Sequence, residues 1–171
     1  MSESTSPTTT SCARWDDLSP RVAYALLRLR VDVFVVEQAC AYPELDGRDL
    51  EPGAEHRWAH PVGDPATVLA YLRVLDDGPV HGPSDAAPSG PRRTVPLRRV
   101  GRVVAAPAAR GRRLAEQLVA EVVAAHGRDG DVVLDAQSHL ADWYARHGFE
   151  RTGPDFVEDG IPHTPMRRPR G

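Results

Sequence analysis

The feature that most constrains the fold is a strand that runs through a turn into an amphipathic helix. Residues 97–105 are β-rich, Pro107 begins a turn, and residues 112–126 repeat apolar side chains at helical spacing. Residues 131–135 are an apolar stretch of strand length, and a short helix over residues 138–148 and one or two strands complete the chain. This half of the chain predicts a βαβ-like unit in a mixed sheet flanked by helices. The apolar face of the longer helix consists of Leu114, Leu118, Val122 and Ala125.

The first half of the chain predicts one helix and two strands. Ser19 and Pro20 suit an N-cap and a first helical position. Residues 41–54 are rich in turn-forming residues, and strands are predicted at residues 55–60 and 67–75. The apolar face of this first helix consists of Val22, Leu26, Leu29 and Val33.

Length and composition suit one domain. A chain of 171 residues, 41% of them apolar, is long enough to bury a single core. We predict that residues 1–12, which are rich in Ser and Thr, are a disordered tail and that residues 13–168 are the domain. Residues 76–96 contain five prolines and three glycines and are predicted to be a flexible insertion between strands.

The charge balance argues against a nucleic-acid partner. The formal net charge is -3 and the pI is near 6.1, whereas general nucleic-acid binders carry a basic excess. Arg98, Arg99 and Arg102 form a local basic cluster on a predicted strand, without the interleaved aromatic residues that bind bases. We therefore expect no nucleic acid to bind.

The cysteines and the apolar pattern indicate a cytoplasmic protein. Cys12 and Cys40 lack CxxC spacing, so they predict neither a metal site nor a disulfide framework, and a reducing compartment fits them best. The start of the chain has no basic and apolar stretches of a secretory signal. Residues 31–36 are interrupted by Asp32 and are too short to cross a bilayer, so no membrane contact is expected.

The helix start after Pro107 is predicted to bind an anion. Backbone N–H groups and the positive end of the helix would point at the same place, and Arg110, Arg112 and Arg113 add charge for a pyrophosphate or a 3′-phosphate. Gly111 lets the backbone approach closely. The alternative is a solvated, arginine-rich helix start. The chain has no GxxxxGK[ST] run and no complete GxGxxG, which argues against P-loop and Rossmann sites.

This segment resembles the coenzyme loop of the GNAT superfamily, Gln/Arg-x-x-Gly-x-Gly/Ala, which follows a strand often ending in Val-x-Pro. Residues 110–115 (RGRRLA) match it, with Arg113 where the superfamily usually has Gly and Ala105 where it usually has Val. Two consequences of Arg113 stay open, a slightly different backbone path and a side chain that lies outward.

Two further segments are similar to the same superfamily and to its ElaA-like branch. Residues 143–149 (WYARHGF) are similar to the signature aromatic-Tyr-x-x-x-Gly-Phe, and Gln137 occupies the usual Asn place seven residues before Tyr144. Residues 33–38 (VFVVEQ) look like the N-terminal signature of the branch, and residues 159–163 (DGIPH) look like its C-terminal one. The N-terminal resemblance also includes Asp46, Gly47, Asp49 and His56.

The resemblance implies a fold, a co-substrate and an acceptor. The implied fold class is α/β (α+β), the GNAT fold, whose central mixed, mostly antiparallel sheet is splayed at the coenzyme cleft and flanked by helices. Acetyl-CoA would be the co-substrate, and an amine-bearing small molecule or peptide would be the acceptor. The implied coenzyme contacts are Val103, Val104, Ala105, Arg110, Gly111, Arg112, Arg113, Leu114, Ala115 and Gln137.

The resemblance also implies catalytic residues. Tyr144 would protonate the departing CoA thiolate, although the periodicity alone also fits a core tyrosine. An alkyl ammonium, with a pKa of about 10.4, must lose a proton before it attacks, so a base or a water chain is needed. Glu37 and His163 are the predicted bases, with an exposed carboxylate and a structural histidine as the alternatives. The remaining candidates are Glu55, His56 and His139, and because the histidines lack metal-ligand spacing, no metal is predicted.

Several alternatives remain open at this level. Asp46 and Asp49 would either bind a cationic acceptor or form Asx turns. A homodimer through an exposed sheet edge is also left open. The two competing functions are a non-catalytic acyl-CoA-binding regulator and, because residues 30–34 (RVDVF) loosely match the start of those related enzymes, an acyl-homoserine-lactone-type synthase.

Overall fold

The structure, a computed structural model, describes residues 7–81 and 94–171. Within these residues the strands are β1 (Thr8–Ala13), β2 (Glu55–Pro61), β3 (Ala70–His81), β4 (Thr94–Ala105), β5 (Asp131–Gln137), β6 (Glu150–Arg151), β7 (Phe156–Glu158) and β8 (Ile161–Arg168). They form one sheet in the order β1-β2-β3-β4-β5-β8-β6, and β7 pairs with β8.

The sheet is mixed and mostly antiparallel. β4 and β5 run parallel, with Leu97 to Arg99 opposite Asp131 to Val133. The pairs β1–β2, β2–β3, β5–β8, β6–β8 and β7–β8 are antiparallel. The predicted fold class is therefore confirmed.

The helices are α1 (Pro20–Arg30), α2 (Leu114–His126) and α3 (Ala141–Ala145). The predicted start of α1 is confirmed, because the Ser19 hydroxyl accepts a hydrogen bond from the Val22 N–H at 3.3 Å and Pro20 is the first helical residue. A π-helix (Val31–Glu37) continues α1, and the Gln38 N–H donates to the carbonyl of Val33, five residues back, at 2.9 Å. Single 3₁₀ turns lie at Trp15–Asp17, Arg48–Leu50, Pro107–Ala109 and Ser138–Leu140.

The chain divides into two compact units. The first consists of Met1–Val74 and Gly101–Val119, and the second of Leu75–Val100 and Ala120–Gly171. In the first unit, the apolar face of α1 packs into a core with Trp58, Tyr71 and Val104, and all four of its predicted residues, Val22, Leu26, Leu29 and Val33, are buried. In the second unit, the buried residues include Val132, Leu134, Tyr144, Phe149 and Met166.

The tail prediction was wrong for residues 8–12. They belong to β1, which pairs with β2 from Thr8 opposite Pro61 to Ala13 opposite His56. Their composition matches a solvated tail, but threonine is β-branched and suits a strand at the edge of a sheet. The backbone of β1 supplies the hydrogen bonds that the edge of β2 would otherwise lack. Residues 1–6 lie outside the described residues.

The other boundaries differ from the predictions in three places. The predicted insertion 76–96 was wrong at both ends, because β3 extends to His81 and β4 begins at Thr94, while residues 82–93 lie outside the described residues. Its first residues are held by ion pairs, Asp76 with Arg98 and Asp77 with Arg99. Three strands follow α3 instead of one or two, and α2 begins two residues later than predicted.

Candidate active site

The predicted phosphate-binding segment is a tight turn between β4 and α2, which we call the coenzyme turn (residues 106–113). The Ala106 N–H donates to the carbonyl of Leu69 at 2.9 Å, which anchors the end of β4. The 3₁₀ turn Pro107–Ala109 follows, and Gly111 has a φ of 79°, in the left-handed region that glycine adopts without strain. The chain then enters α2, whose first-turn N–H groups have no carbonyl within the helix to bind. Helix starts with unpaired N–H groups are places where proteins often bind anions.

Arg113 occupies a left-handed backbone position at the end of this turn. Its φ is 59°, which glycine tolerates and a residue with a Cβ does not without strain. This conformation gives the physical reason for the glycine that similar loops carry there. The side chain is 77% exposed and donates to Glu116 through Nε (2.7 Å) and Nη2 (2.6 Å). The side chain of Arg113 therefore lies outward, which is one of the two possibilities that the sequence left open. The left-handed backbone at Arg113 explains why α2 begins only at Leu114.

The three arginines of the coenzyme turn have different partners. Arg110 donates through Nη2 to both carboxylate oxygens of Glu37, at 2.8 Å each, while Arg113 is held by Glu116. The guanidinium of Arg112, which is half-buried, has no hydrogen bond or ion pair within the described part of the chain. Arg112 is thus the arginine of this turn whose charge is not already used by a carboxylate.

The end of β4 leads directly into the coenzyme turn. Val104 is 4% exposed and packs in the core of the first unit, while Val103 and Ala105 are half-buried. Arg102, just before them, has a φ of 55°, an uncommon left-handed position for a strand residue other than glycine. Such backbone strain is often found near functional sites. At the other end of the turn, Leu114 is buried and Ala115 is half-buried.

Tyr144 is a buried residue of α3 in the second unit. Its side chain is 5% exposed and lies edge-on to the rings of Trp143 and Phe149, at centroid distances of 4.7 Å and 5.8 Å. Burial raises the pKa of Tyr144 above its usual value, and the hydroxyl has no hydrogen bond to another described residue. The phenol therefore stays protonated at neutral pH, with its proton available to a group that enters the site.

His163 and Gln137 are direct neighbours in the sheet. His163 on β8 lies opposite Gln137 on β5 and opposite Phe156 on β7. Directly opposed residues of antiparallel strands project from the same face, so the three side chains form a row. The ring of Phe156 stacks on His163 at 5.9 Å. His163 Nδ1 lies 2.9 Å from the carbonyl of Ile161, which only accepts, so Nδ1 donates and neutral His163 keeps its lone pair on Nε2.

A buried ion network in the first unit was missed by the sequence analysis. Arg30 is fully buried and donates to Glu44 and, at 2.6 Å, to Asp49. Arg73 donates to Asp49 at 3.0 Å and to Asp46 at 2.7 Å. We call this group the arginine–carboxylate network; it consists of Arg30, Arg73, Arg102, Glu44, Asp46 and Asp49.

The network is electrically balanced, with three arginines and three carboxylates. The hydrogen bond from Arg73 holds the pKa of Asp46 well below its usual value. For Asp49, burial opposes ionisation, but hydrogen bonds and charges of Arg30 and Arg73 outweigh it and lower the pKa. Signals for the network were present in the sequence: Arg30 continues the apolar stripe of α1 four residues after Leu26, and Arg73 interrupts the apolar run of residues 68–75.

The remaining candidate bases are His56, Glu55 and His139, and their surroundings differ. His56 is fully buried, and its Nε2 donates to the carbonyl of Asp49 at 3.1 Å while Nδ1 accepts from the Tyr71 hydroxyl at 2.8 Å. Burial lowers the pKa of His56, so it is a neutral structural residue with both nitrogens occupied. Glu55 pairs with Arg57 at 2.7 Å, and His139 is exposed. The described residues include no group of three metal-ligating side chains, and none of their helices is long and apolar enough to span a bilayer.

The chain was compared with protein-family models and with known proteins. A family model described as an acetyltransferase (GNAT) domain matches residues 89–169. A UPF0039 protein of Mycobacterium tuberculosis is 42% identical over 90% of this chain and 88% of its own length. Protein ElaA of Escherichia coli is 36% identical over 89% of this chain and 90% of its own length.

Solved structures agree with these sequence relatives. An acyl-CoA N-acyltransferase from Pseudomonas aeruginosa superposes with a TM-score of 0.76 and 38% identity, covering 95% of this chain and 99% of that one. The crystal structure of Escherichia coli ElaA superposes with a TM-score of 0.75 and 32% identity, with the same coverage.

Proposed function

Because the chain belongs to the ElaA-like branch of the GNAT acetyltransferase family, we propose that it transfers an acetyl group from acetyl-CoA to an amine. The observation that carries the proposal is the coenzyme turn, where Gly111 and Arg113 hold a left-handed path into α2 beside Arg112, whose guanidinium has no partner among the described residues. This arrangement suits a coenzyme that bears several phosphates.

Coenzyme binding would use backbone and charge together. Arg112 is the first phosphate ligand in this proposal, because no described residue pairs with its guanidinium, and the N–H groups at the start of α2 would bind the same phosphates. The backbone of Val103 to Ala105 would pair with the amide groups of the pantetheine arm. Gln137, on β5, would supply a side-chain amide to the coenzyme.

The acyl transfer would proceed by direct attack. The amine nitrogen attacks the thioester carbonyl carbon, the C–S bond breaks, and the departing thiolate takes the proton of Tyr144. The acylated nitrogen then loses its extra proton to solvent, and solvent returns a proton to the tyrosinate. The raised pKa of Tyr144 keeps the phenol protonated until that moment. A bound amine held beside the carbonyl avoids the entropic cost of encounter, and a backbone N–H of β4 would stabilise the developing oxyanion.

Of the two predicted bases, the contacts favour His163. In its neutral form Nε2 has a lone pair that can take a proton from the ammonium group of the acceptor, with Nδ1 oriented by the carbonyl of Ile161. Glu37 is held by Arg110 in two hydrogen bonds and would have to leave that pair before accepting a proton.

The acceptor in this proposal is an amine on a small molecule or peptide. Asp46 and Asp49 are neutralised by Arg30, Arg73 and Arg102, so they supply no unpaired negative charge for a cationic acceptor. We propose the cytoplasm as the location, since Cys12 and Cys40 form no disulfide within the described part of the chain, which suits a reducing compartment.

The proposal is tested by thiol release from acetyl-CoA with a panel of polyamines, amino acids, aminoglycosides and peptides. We expect acceptor-dependent release, and we expect Tyr144→Phe to lower kcat by about 10²- to 10⁴-fold because the proton donor is lost. Tyr24→Phe is the matched control, because Tyr24 is 70% exposed on α1 and should not alter kcat.

Other outcomes separate the competing functions. Coenzyme binding with no turnover on any acceptor, and unchanged by Tyr144→Phe, would support a non-catalytic regulator. Turnover only with long acyl donors and S-adenosylmethionine would support a synthase of acyl-homoserine-lactone type. A chain that binds no CoA would contradict the transferase and the regulator together.

A further inference from the structure

The ion pair between Glu37 and Arg110 joins two segments that are far apart in sequence. Glu37 is the last residue of the π-helix, and Arg110 lies in the coenzyme turn, 73 residues later. Arg110 Nη2 donates to both carboxylate oxygens at 2.8 Å, and the two side chains are 48% (Arg110) and 43% (Glu37) exposed. The pair is therefore accessible from solvent.

A carboxylate and a phosphate compete for the same guanidinium. The planar carboxylate and the tetrahedral phosphate both accept charge-assisted hydrogen bonds from arginine, and the phosphate carries more negative charge than the carboxylate. Glu37 therefore binds the guanidinium of Arg110, which would otherwise be free for a coenzyme phosphate. Arg112, a neighbour of Arg110 in the turn, has no such carboxylate among the described residues.

We propose that Glu37 is an internal competitor for the coenzyme, an anionic clasp on Arg110 that a phosphate group of CoA displaces when it binds. The inference rests on the proposed function only in taking the coenzyme turn as the CoA site. It assigns Glu37 a role in controlling coenzyme affinity instead of removing a proton from the acceptor.

Displacement of the clasp should be easy and its effect modest. An ion pair between half-exposed side chains contributes little, because water solvates both partners and salt screens them. Release would also free the end of the π-helix, which the chain leaves through Ala39 at a strained, left-handed φ of 53°.

The test is calorimetric titration of CoA into the full chain and four variants. Glu37→Gln should bind CoA about two- to five-fold more tightly, the range expected when a surface ion pair no longer competes. Arg110→Gln should bind more weakly, and adding Glu37→Gln to it should change nothing further, because no clasp is left to remove. Glu51→Gln is the matched control: it removes one carboxylate from a half-exposed local pair with Arg48, and its affinity should equal that of the wild type.

Three outcomes would contradict the proposed role of Glu37 or the proposed function. Equal or weaker CoA binding by Glu37→Gln would overturn the clasp while leaving the proposed transferase intact, provided that melting temperatures show a folded variant. Tighter binding that persists in the Arg110→Gln background, or appears in Glu51→Gln, would overturn it as well, because the gain would then come from overall charge. Absence of CoA binding by the wild type would contradict the proposed function itself.

Discussion

In the coenzyme turn, the backbone of Arg113 is strained, and no contact of its side chain offsets the cost. Arg113 has a φ of 59°, and its outward side chain pairs only with Glu116 on the surface of α2. A left-handed conformation is unfavourable for residues with a Cβ, whereas glycine adopts it freely. The turn therefore enters α2 by a left-handed path at a residue that has a Cβ.

Arg113→Gly should therefore stabilise the chain relative to Arg113→Ala, which removes the same ion pair but keeps the strain. The expected difference in melting temperature is about 2–4 °C, measured by thermal unfolding of both variants. Both variants should bind CoA as tightly as the wild type if the outward side chain of Arg113 does not contact the coenzyme. An Arg113→Gly variant that melts at or below the temperature of Arg113→Ala would show that the position is not strained.

Two histidines illustrate how surroundings decide the role of a residue type. His56 has both ring nitrogens occupied, by Asp49 and Tyr71, and is fully buried. His163 has one nitrogen oriented by Ile161, and its Nε2 has no partner among the described residues. The first can only hold structure, whereas the second is able to exchange a proton.

At the scale of elements, a buried hydroxyl links the β7–β8 hairpin to the 3₁₀ turn that precedes α3. Thr164 on β8 is fully buried, and its hydroxyl donates to Asp155 at 2.7 Å and lies 3.1 Å from the Ser138 hydroxyl. Hydrogen bonds to the Thr164 and Ser138 hydroxyls lower the pKa of Asp155. The linkage holds the start of the helical segment that carries Tyr144.

Thr164→Val keeps the shape of the side chain and removes the hydroxyl, so Asp155 loses one hydrogen-bond donor and Ser138 loses its contact with Thr164. We expect a loss of about 1–2 kcal/mol in the free energy of unfolding, measured in urea, and faster hydrogen exchange of the α3 amides. Thr9→Val, on the exposed side of β1, is the control and should change neither quantity. Unchanged α3 exchange in Thr164→Val would mean that the hairpin does not hold this helix.

For the whole molecule, carboxylates that are held by hydrogen bonds and ion pairs predict sensitivity to acid. The carboxyl groups whose pKa lies below the usual value are Asp46, Asp49, Asp64, Asp76 and Asp155. The folded chain keeps them ionised at a pH where the unfolded chain, with ordinary values of about 3.9, already binds protons. Their contribution to stability is therefore complete above about pH 4 and is lost as the pH falls below it.

Asp46→Asn tests this contribution within the arginine–carboxylate network. The variant should be less stable than the wild type at pH 7, because Arg73 and Arg102 lose a charged partner, and its stability should fall less steeply below about pH 4. Urea unfolding at pH 7, 4 and 3 measures both effects. Asp16→Asn, an exposed residue outside the network, serves as the control. Parallel pH curves for Asp46→Asn and the wild type would contradict the assignment.

Local patterns were sufficient for much of the fold. The cap at Ser19, the apolar face of α1 and the entry from β4 into α2 each depend on residues within a few positions, and each is present in the structure. The family likewise followed from two short motifs in the right order, around residues 110–115 and 143–149. The tail prediction failed because the partner of β1 is β2, a strand more than forty residues away whose edge the composition of residues 1–12 does not reveal.

The sequence by itself determined the order of the elements from α1 to α3, the entry from β4 into α2 and the family, because these depend on spacing and backbone preference along a short stretch of chain. Only the tertiary structure decided the use of each charged side chain. Arg30 meets Asp49 across 19 residues and Arg110 meets Glu37 across 73 residues, and no local pattern selects such partners. Charges pair with whatever the fold brings within a few ångströms, so the chemistry of an arginine or a carboxylate is settled by packing.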